Sequence, residues 1–142
     1  MIRPPPRATR TLALLPYSTF FRSTLTDVRG DVADLPALEH VIRHHRPDYV
    51  FHLAALPIVR ASYEAPVETF ATNTMGTVNL LECARRTASV KSIVVVTSDK
   101  CYTNHEWHWA YREKSQLGGR DPYAASKSCA ELIVNSYRES FF

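Results

Sequence analysis

Strands alternate with helices along most of this chain, which predicts an α/β fold: a parallel sheet with flanking helices. Three observations carry that prediction. Tyr49–Ala54 and Ser92–Thr97 are short, β-branched or aromatic apolar runs of the length of buried strands. The segments beside them repeat apolar residues at helical spacing. Caps and prolines stand where such helices would start. With 142 residues, 45% hydrophobic and 22% charged, one domain with a sizeable core is possible. No stretch approaches the ~18 consecutive apolar residues of a membrane span, so no membrane partner is expected.

The opening segment, residues 1–26, is expected to be divergent or disordered. It contains Pro4-Pro5-Pro6, Pro16 and four arginines before the first acid, Asp27. An acid-free, Arg-rich start resembles an organellar transit peptide, but three successive prolines oppose an amphipathic helix. The net charge of +3 belongs to this segment, and the remainder is close to neutral. A nucleic-acid partner would need a basic face, and none is expected. Cys83, Cys101 and Cys129 are odd in number and lack metal-ligand spacing, which points to a reduced, cytoplasmic protein.

From Asp27 the pattern is regular. Asp34 is placed to cap a helix through about Arg46, with Leu35, Leu38, Val41 and Ile42 on one face. Pro47-Asp48 ends it, and the first strand follows. Pro66 opens a second helix, with Val67, Phe70, Thr74, Val78 and Leu81 at helical spacing, to stop before Ser89. After the second strand comes a long polar and aromatic stretch, Asp99 to Asp121. Pro122 then opens a third helix that runs nearly to the end. In parallel sheets ligands bind beyond the carboxyl ends of the strands. His52-Leu53-Ala54-Ala55 and Thr97-Ser98-Asp99-Lys100 occupy those ends.

Tyr123-Ala124-Ala125-Ser126-Lys127 is the strongest chemical signal. Positions i and i+4 share a helix face, so the Lys127 ammonium can lie near the Tyr123 phenol. A cation there favours phenolate and makes tyrosine a usable base near neutral pH. The same spacing also arises by chance as a surface pair; Ser98 at a strand end strengthens the catalytic reading. Asn73 on a helix is by default a buried polar side chain that fixes local geometry. His105-Glu106-Trp107-His108 lacks the spacing that sets two histidines on one helical face, and no metal is expected. Trp107 and Trp109 either wall a substrate site or bury their own loop.

His52-Leu53-Ala54-Ala55, Thr72-Asn73 with Gly76-Thr77, Thr97-Ser98-Asp99-Lys100 and the Tyr123/Lys127 pair, in that order, resemble the extended short-chain dehydrogenase/reductase family. Thr97–Tyr102, Trp107–Glu113 and Leu117–Tyr123 look more narrowly like the sugar-nucleotide 4,6-dehydratases of that family that act on CDP-glucose. Lys100 stands where those acting on dTDP-glucose tend to carry glutamate. The resemblance covers residues 27–142 and implies a Rossmann-type sheet with NAD as cofactor and a nucleotide-sugar substrate, CDP-glucose favoured. It implies a homodimer through helices 66–87 and 122–140. By the same resemblance Tyr123 takes the C4 hydroxyl proton during oxidation at C4, Ser98 holds the C4 oxygen, and Lys127 holds the ribose. Asp99 donates a proton to the departing C6 hydroxyl, and Lys100 takes part in proton removal at C5. Asp31 and Val32 match the adenine contact. Leu53, Ala54, Ala55, Leu56 and Thr72 match segments lining the pyrophosphate and ribose, with Leu56 replacing a glutamine and Ala124 a serine.

Two tensions accompany these roles. An acid role asks Asp99 to stay protonated, which a charged Lys100 beside it opposes. On a regular strand the two would also face opposite sides. The four glycines (Gly30, Gly76, Gly118, Gly119) form no Gly-x-x-Gly-x-x-Gly turn. The expectation is therefore an incomplete NAD-binding domain over 27–142, lacking the first βα unit and the C-terminal substrate domain. Such a chain is either a piece of a dehydratase or related epimerase, or a non-catalytic module that associates through its helices.

Overall fold

The computed structural model describes residues 11–14 and 26–142. Thr11–Leu14 (β1) pairs antiparallel with Thr26–Arg29 (β2). The expected boundary at 26/27 thus falls within a strand, and the opening segment contributes β1. The proline triplet and the rest of that segment lie outside the described residues.

Leu35–His45 forms α1, as its capping residue predicts. The Asp34 carboxylate accepts the Ala37 N–H at 3.1 Å, which satisfies one of the orphan donors of the first turn. Arg46 leaves the helix at φ 45°, and Pro47 prevents its continuation. Tyr49–His52 (β3) and Ser92–Val95 (β4) pair in parallel with Val50 opposite Ile93. Both strands are two residues shorter than the apolar runs suggest. Leu38 and Ile42 of α1 pack against Val50 of β3 and against Leu80 and Cys83 of the helix Gly76–Arg85 (α4). Tyr49, Phe51, Val94 and Val96 alternate with these core residues and are exposed. Among the described residues, the helices cover one face of the β3–β4 pair rather than both.

The segment 66–87 departs most from expectation. Instead of one α-helix it comprises Pro66–Phe70 (α3), a π-helical turn at Ala71–Met75, and α4. A π turn inserts an extra residue per turn and rotates the face that follows. Val67, first of the expected apolar stripe, is 82% exposed. The buried stripe is Thr69, Thr72, Asn73, Gly76, Thr77 and Leu80. Small residues allow close approach there: a Cβ on Gly76 would lie 2.6 Å from Val32 Cγ2. A short helix at Val59–Glu64 (α2) was not legible, because Ile58 offers no side-chain cap. Pro122–Phe141 forms α5 and packs against α2, α3, the π turn and α4. No helix among the described residues is long and apolar enough to cross a membrane.

Candidate active site

The ends of β3 and β4 meet the first turns of α5. Asp121 caps that helix by accepting the Ala124 N–H at 2.9 Å, with Pro122 opening its first turn. Tyr123 and Lys127 are both buried and share a helix face. The Lys127 ammonium donates to the Val96 carbonyl, 3.1 Å away, just past β4. No hydrogen bond among the described residues joins it to the Tyr123 phenol. Burial pushes the Lys127 pKa below its ordinary value, and the Glu131 carboxylate one turn on opposes that shift. Glu131 itself accepts the Thr97 hydroxyl.

Beyond β4 the chain has left strand geometry, which removes the second tension. Asp99–Cys101 is a single 3₁₀ turn, capped by Ser98. The Ser98 oxygen accepts the Lys100 N–H at 3.2 Å, and its hydroxyl donates to Asp99 Oδ1 at 3.0 Å. With three residues per turn, successive side chains differ by a third of a rotation rather than half. Asp99 and Lys100 are both exposed. This turn is fastened to α5 by the Ser128 hydroxyl, which donates to the Cys101 carbonyl at 2.6 Å. Ser98, Asp99, Lys100, Tyr123 and Lys127 therefore stand on two elements bonded to each other.

Past β3, residues Leu53–Leu56 are held from below by Asn73. Its Oδ1 accepts the Leu56 N–H at 2.7 Å, and its Nδ2 donates to the Leu56 carbonyl at 3.2 Å and to Ser126 Oγ at 2.9 Å. Leu53 is exposed, Ala54, Ala55 and Leu56 are half-buried, and Thr72 is buried. On the far side Asn79 Nδ2 donates to the carbonyls of Val32 and Ala33 at 3.0 and 3.2 Å, tethering that loop to α4. Val32 is buried; the exposed Asp31 accepts the Ala33 N–H at 2.9 Å. This donor set fits a dinucleotide. Lys127 spends one of its three N–H groups on Val96, and small residues at 54 and 55 leave the backbone approachable.

The long loop closes through an antiparallel bridge between Tyr102 and Leu117. Trp109 is 77% exposed and Trp107 is also exposed, so these rings do not bury the loop. Trp107 packs on His105, centroids 4.6 Å apart, and Tyr102 stacks on Tyr111 at 5.3 Å. Sequence spacing did not reveal Asn73 as a hub between loop and helix, nor the partners of Glu131 and Ser128. These contacts join residues far apart in the chain and carry no periodic signal.

The sequence pattern of GDP-mannose 4,6 dehydratase matches residues 9–142. The chain belongs to that family. Over 113 residues it is 52% identical to a CDP-glucose 4,6-dehydratase of Salmonella typhimurium, covering 80% of this chain and 32% of the relative. It is 35% identical to a dTDP-glucose 4,6-dehydratase of Streptomyces antibioticus, over 82% of this chain and 33% of that one. Among solved structures, a dTDP-glucose 4,6-dehydratase of Streptomyces venezuelae with NAD and TYD bound superposes with a TM-score of 0.72 at 31% identity. The match covers 79% of this chain and 34% of the other. A UDP-glucose 4-epimerase of Thermus thermophilus in complex with NAD gives 0.70 at 30% identity, covering 79% and 36%. The α/β fold of this family member is thus Rossmann-like, and the chain spans about a third of the length of the curated relatives it matches.

Proposed function

We propose that this family member carries the catalytic residues of a nucleotide-sugar 4,6-dehydratase acting on CDP-glucose, with NAD as its cofactor. The observation that supports the reading is the turn of Ser98, Asp99 and Lys100 fastened onto the helix of Tyr123 and Lys127, in a chain 52% identical to a CDP-glucose 4,6-dehydratase. Asp31, Val32, Leu53 to Leu56 and Thr72 would hold the cofactor along its length, and Tyr123 and Lys127 its reactive end. When bound, NAD supplies reversible oxidation of the sugar carbinol.

The chain's own groups do the rest. Tyr123 accepts the C4 hydroxyl proton, and the Lys127 cation favours the phenolate that receives it. Ser98 turns its hydroxyl from Asp99 to the C4 oxygen. A ketone at C4 acidifies the neighbouring C5–H. Lys100 takes part in removing that proton, and Asp99 protonates the departing C6 hydroxyl, so water is lost across C5 and C6. The 3₁₀ turn supports this division of labour, since it lets both side chains serve one side. Exposed Val67 and Met75 on one helical segment and Leu132 on α5 support a homodimer through 66–87 and 122–140. Three free thiols support a cytoplasmic protein.

A 4-epimerase reading is favoured by the likeness to 4-epimerases such as the Thermus enzyme, at lower identity than the CDP-glucose dehydratase. The test is a chimera in which residues 27–142 replace the matching third of the Salmonella relative. It is expected to convert CDP-glucose to a 4-keto-6-deoxy product, the hydride taken from C4 being returned at C6 and a proton at C5, so that NAD is not consumed. A higher kcat/KM on dTDP-glucose contradicts the CDP assignment. A C4 epimer that keeps its 6-hydroxyl establishes the epimerase.

A further inference from the structure

His52 closes β3 and has no role in the reading above. Its ring is 5% exposed, and its Nε2 lies 3.1 Å from Thr77 Oγ1. Proton counting settles the direction of that bond. Thr77 has one hydroxyl hydrogen, and it goes to the Asn73 backbone carbonyl at 2.7 Å. Thr77 must therefore accept from His52, whose ring carries its proton on Nε2. The same logic applies to a second link, which starts from the Asn73 side-chain amide. Ser126 gives its hydrogen to the Tyr123 carbonyl at 2.7 Å and so accepts from Asn73 Nδ2 at 2.9 Å.

We propose that His52 is a positioning residue for the Tyr123–Lys127 helix: as a neutral, Nε2-protonated imidazole it anchors, through Thr77, the backbone of Asn73, whose side-chain amide starts a second link through Ser126 to the Tyr123 carbonyl. The inference rests on the dehydratase reading for its catalytic meaning and on geometry for its existence. Two further observations set His52 apart from a side chain that merely fills the core. Its Nδ1 is buried without a partner among the described residues, which is a destabilising arrangement that an apolar residue of similar size would avoid. Burial first, and the Lys127 ammonium second, hold the ring neutral, with its pKa pushed down to about 4. A protonated ring would place a second cation beside Lys127. The neutral one donates to Thr77 while leaving Lys127 as the cation that bears on Tyr123.

The chain's length in bonds supplies the control. A glutamine amide nitrogen stands as many bonds from the backbone as histidine Nε2, whereas leucine has no donor at all. Nitrogen NMR of the full chain, from about pH 8 to about pH 6, is expected to show His52 bare on Nδ1 and protonated on Nε2 throughout. The opposite tautomer, or a charged ring, overturns the proposal. In His52→Leu, hydrogen exchange of the Asn73 side-chain amide and the Tyr123 ring carbon shifts should both change, the exchange by ~10-fold or more. His52→Gln should restore both. An unchanged Asn73 amide in the leucine variant, or no restoration by glutamine, overturns it equally. If the leucine variant does not fold, the wild-type tautomer and the glutamine variant decide. None of these readouts uses turnover, so they stand apart from the substrate assignment.

Discussion

The two strand ends that frame the site are built in opposite ways. After β3, the loop Leu53–Leu56 is held by buried, neutral, fully engaged groups: Asn73 spends its carbonyl oxygen and both amide hydrogens on Leu56 and Ser126. After β4, the 3₁₀ turn presents Asp99 and Lys100 to solvent, and only Cys101 behind them is buried and fastened. The difference teaches what each end is for. Groups that set a geometry gain from burial, because low polarity strengthens every satisfied bond and punishes every broken one. Groups that exchange protons with a substrate have to be reachable and able to change charge.

Breaking the buried end should cost the most. Asn73→Leu leaves the Leu56 N–H and carbonyl without their side-chain partner and removes the donor to Ser126 Oγ, and a loss of about 4 kcal/mol is expected from urea denaturation. Acid attacks the same region through His52. Its folded-state pKa, about 4, lies below the ordinary 6.5, so above pH 6.5 the ring is neutral in both states and stability is complete. As pH falls from 6.5 towards 4 the unfolded chain takes up a proton that the folded chain refuses. Stability should drop over that window by of order 3 kcal/mol, and His52→Gln should remove that part of the acid dependence.

A third prediction concerns the junction of turn and helix. A Cβ on Gly119 would lie 2.3 Å from the Ala124 carbonyl carbon and the Ala125 nitrogen. Gly119→Ala should therefore displace the first turn of α5 and reduce the denaturation free energy by about 2 kcal/mol. Asp99→Asn should do least. The side chain is exposed, and a change within about 0.5 kcal/mol is expected in the same assay. A large loss there, or a negligible one in Asn73→Leu, would abolish the contrast between the two ends.

The sequence was legible where local chemistry decides structure. Asp34 and Pro47 bound α1, Pro122 starts α5, and β-branched runs mark the cores of β3 and β4. The i,i+4 spacing also identified the Tyr123/Lys127 face. Periodicity failed at 66–87 because a π turn at Ala71–Met75 changes the repeat, and the residues it buries are a threonine and an asparagine. It was silent on α2, which begins without a cap, and on β1, whose pairing with β2 lies in a segment that composition marks as irregular. The partners of Lys127, Asn73 and His52 are Val96, Ser126 and Thr77, contacts between distant segments that only the folded chain brings together. One tension in the sequence was also an artefact of assuming a strand: Asp99 and Lys100 stand on a tight turn.

The division between a holding end and a reacting end is tested most directly by two substitutions in the chimera with the Salmonella enzyme, followed by absorbance of the reduced cofactor after one addition of CDP-glucose. Tyr123→Phe removes the base, and oxidation should slow by ~10²-fold or more, with little reduced cofactor formed. Asp99→Asn should leave oxidation near the unsubstituted rate and stall water loss, so that reduced cofactor accumulates on the enzyme. Normal product formation by Asp99→Asn without that accumulation would show that the turn after β4 does not supply the acid.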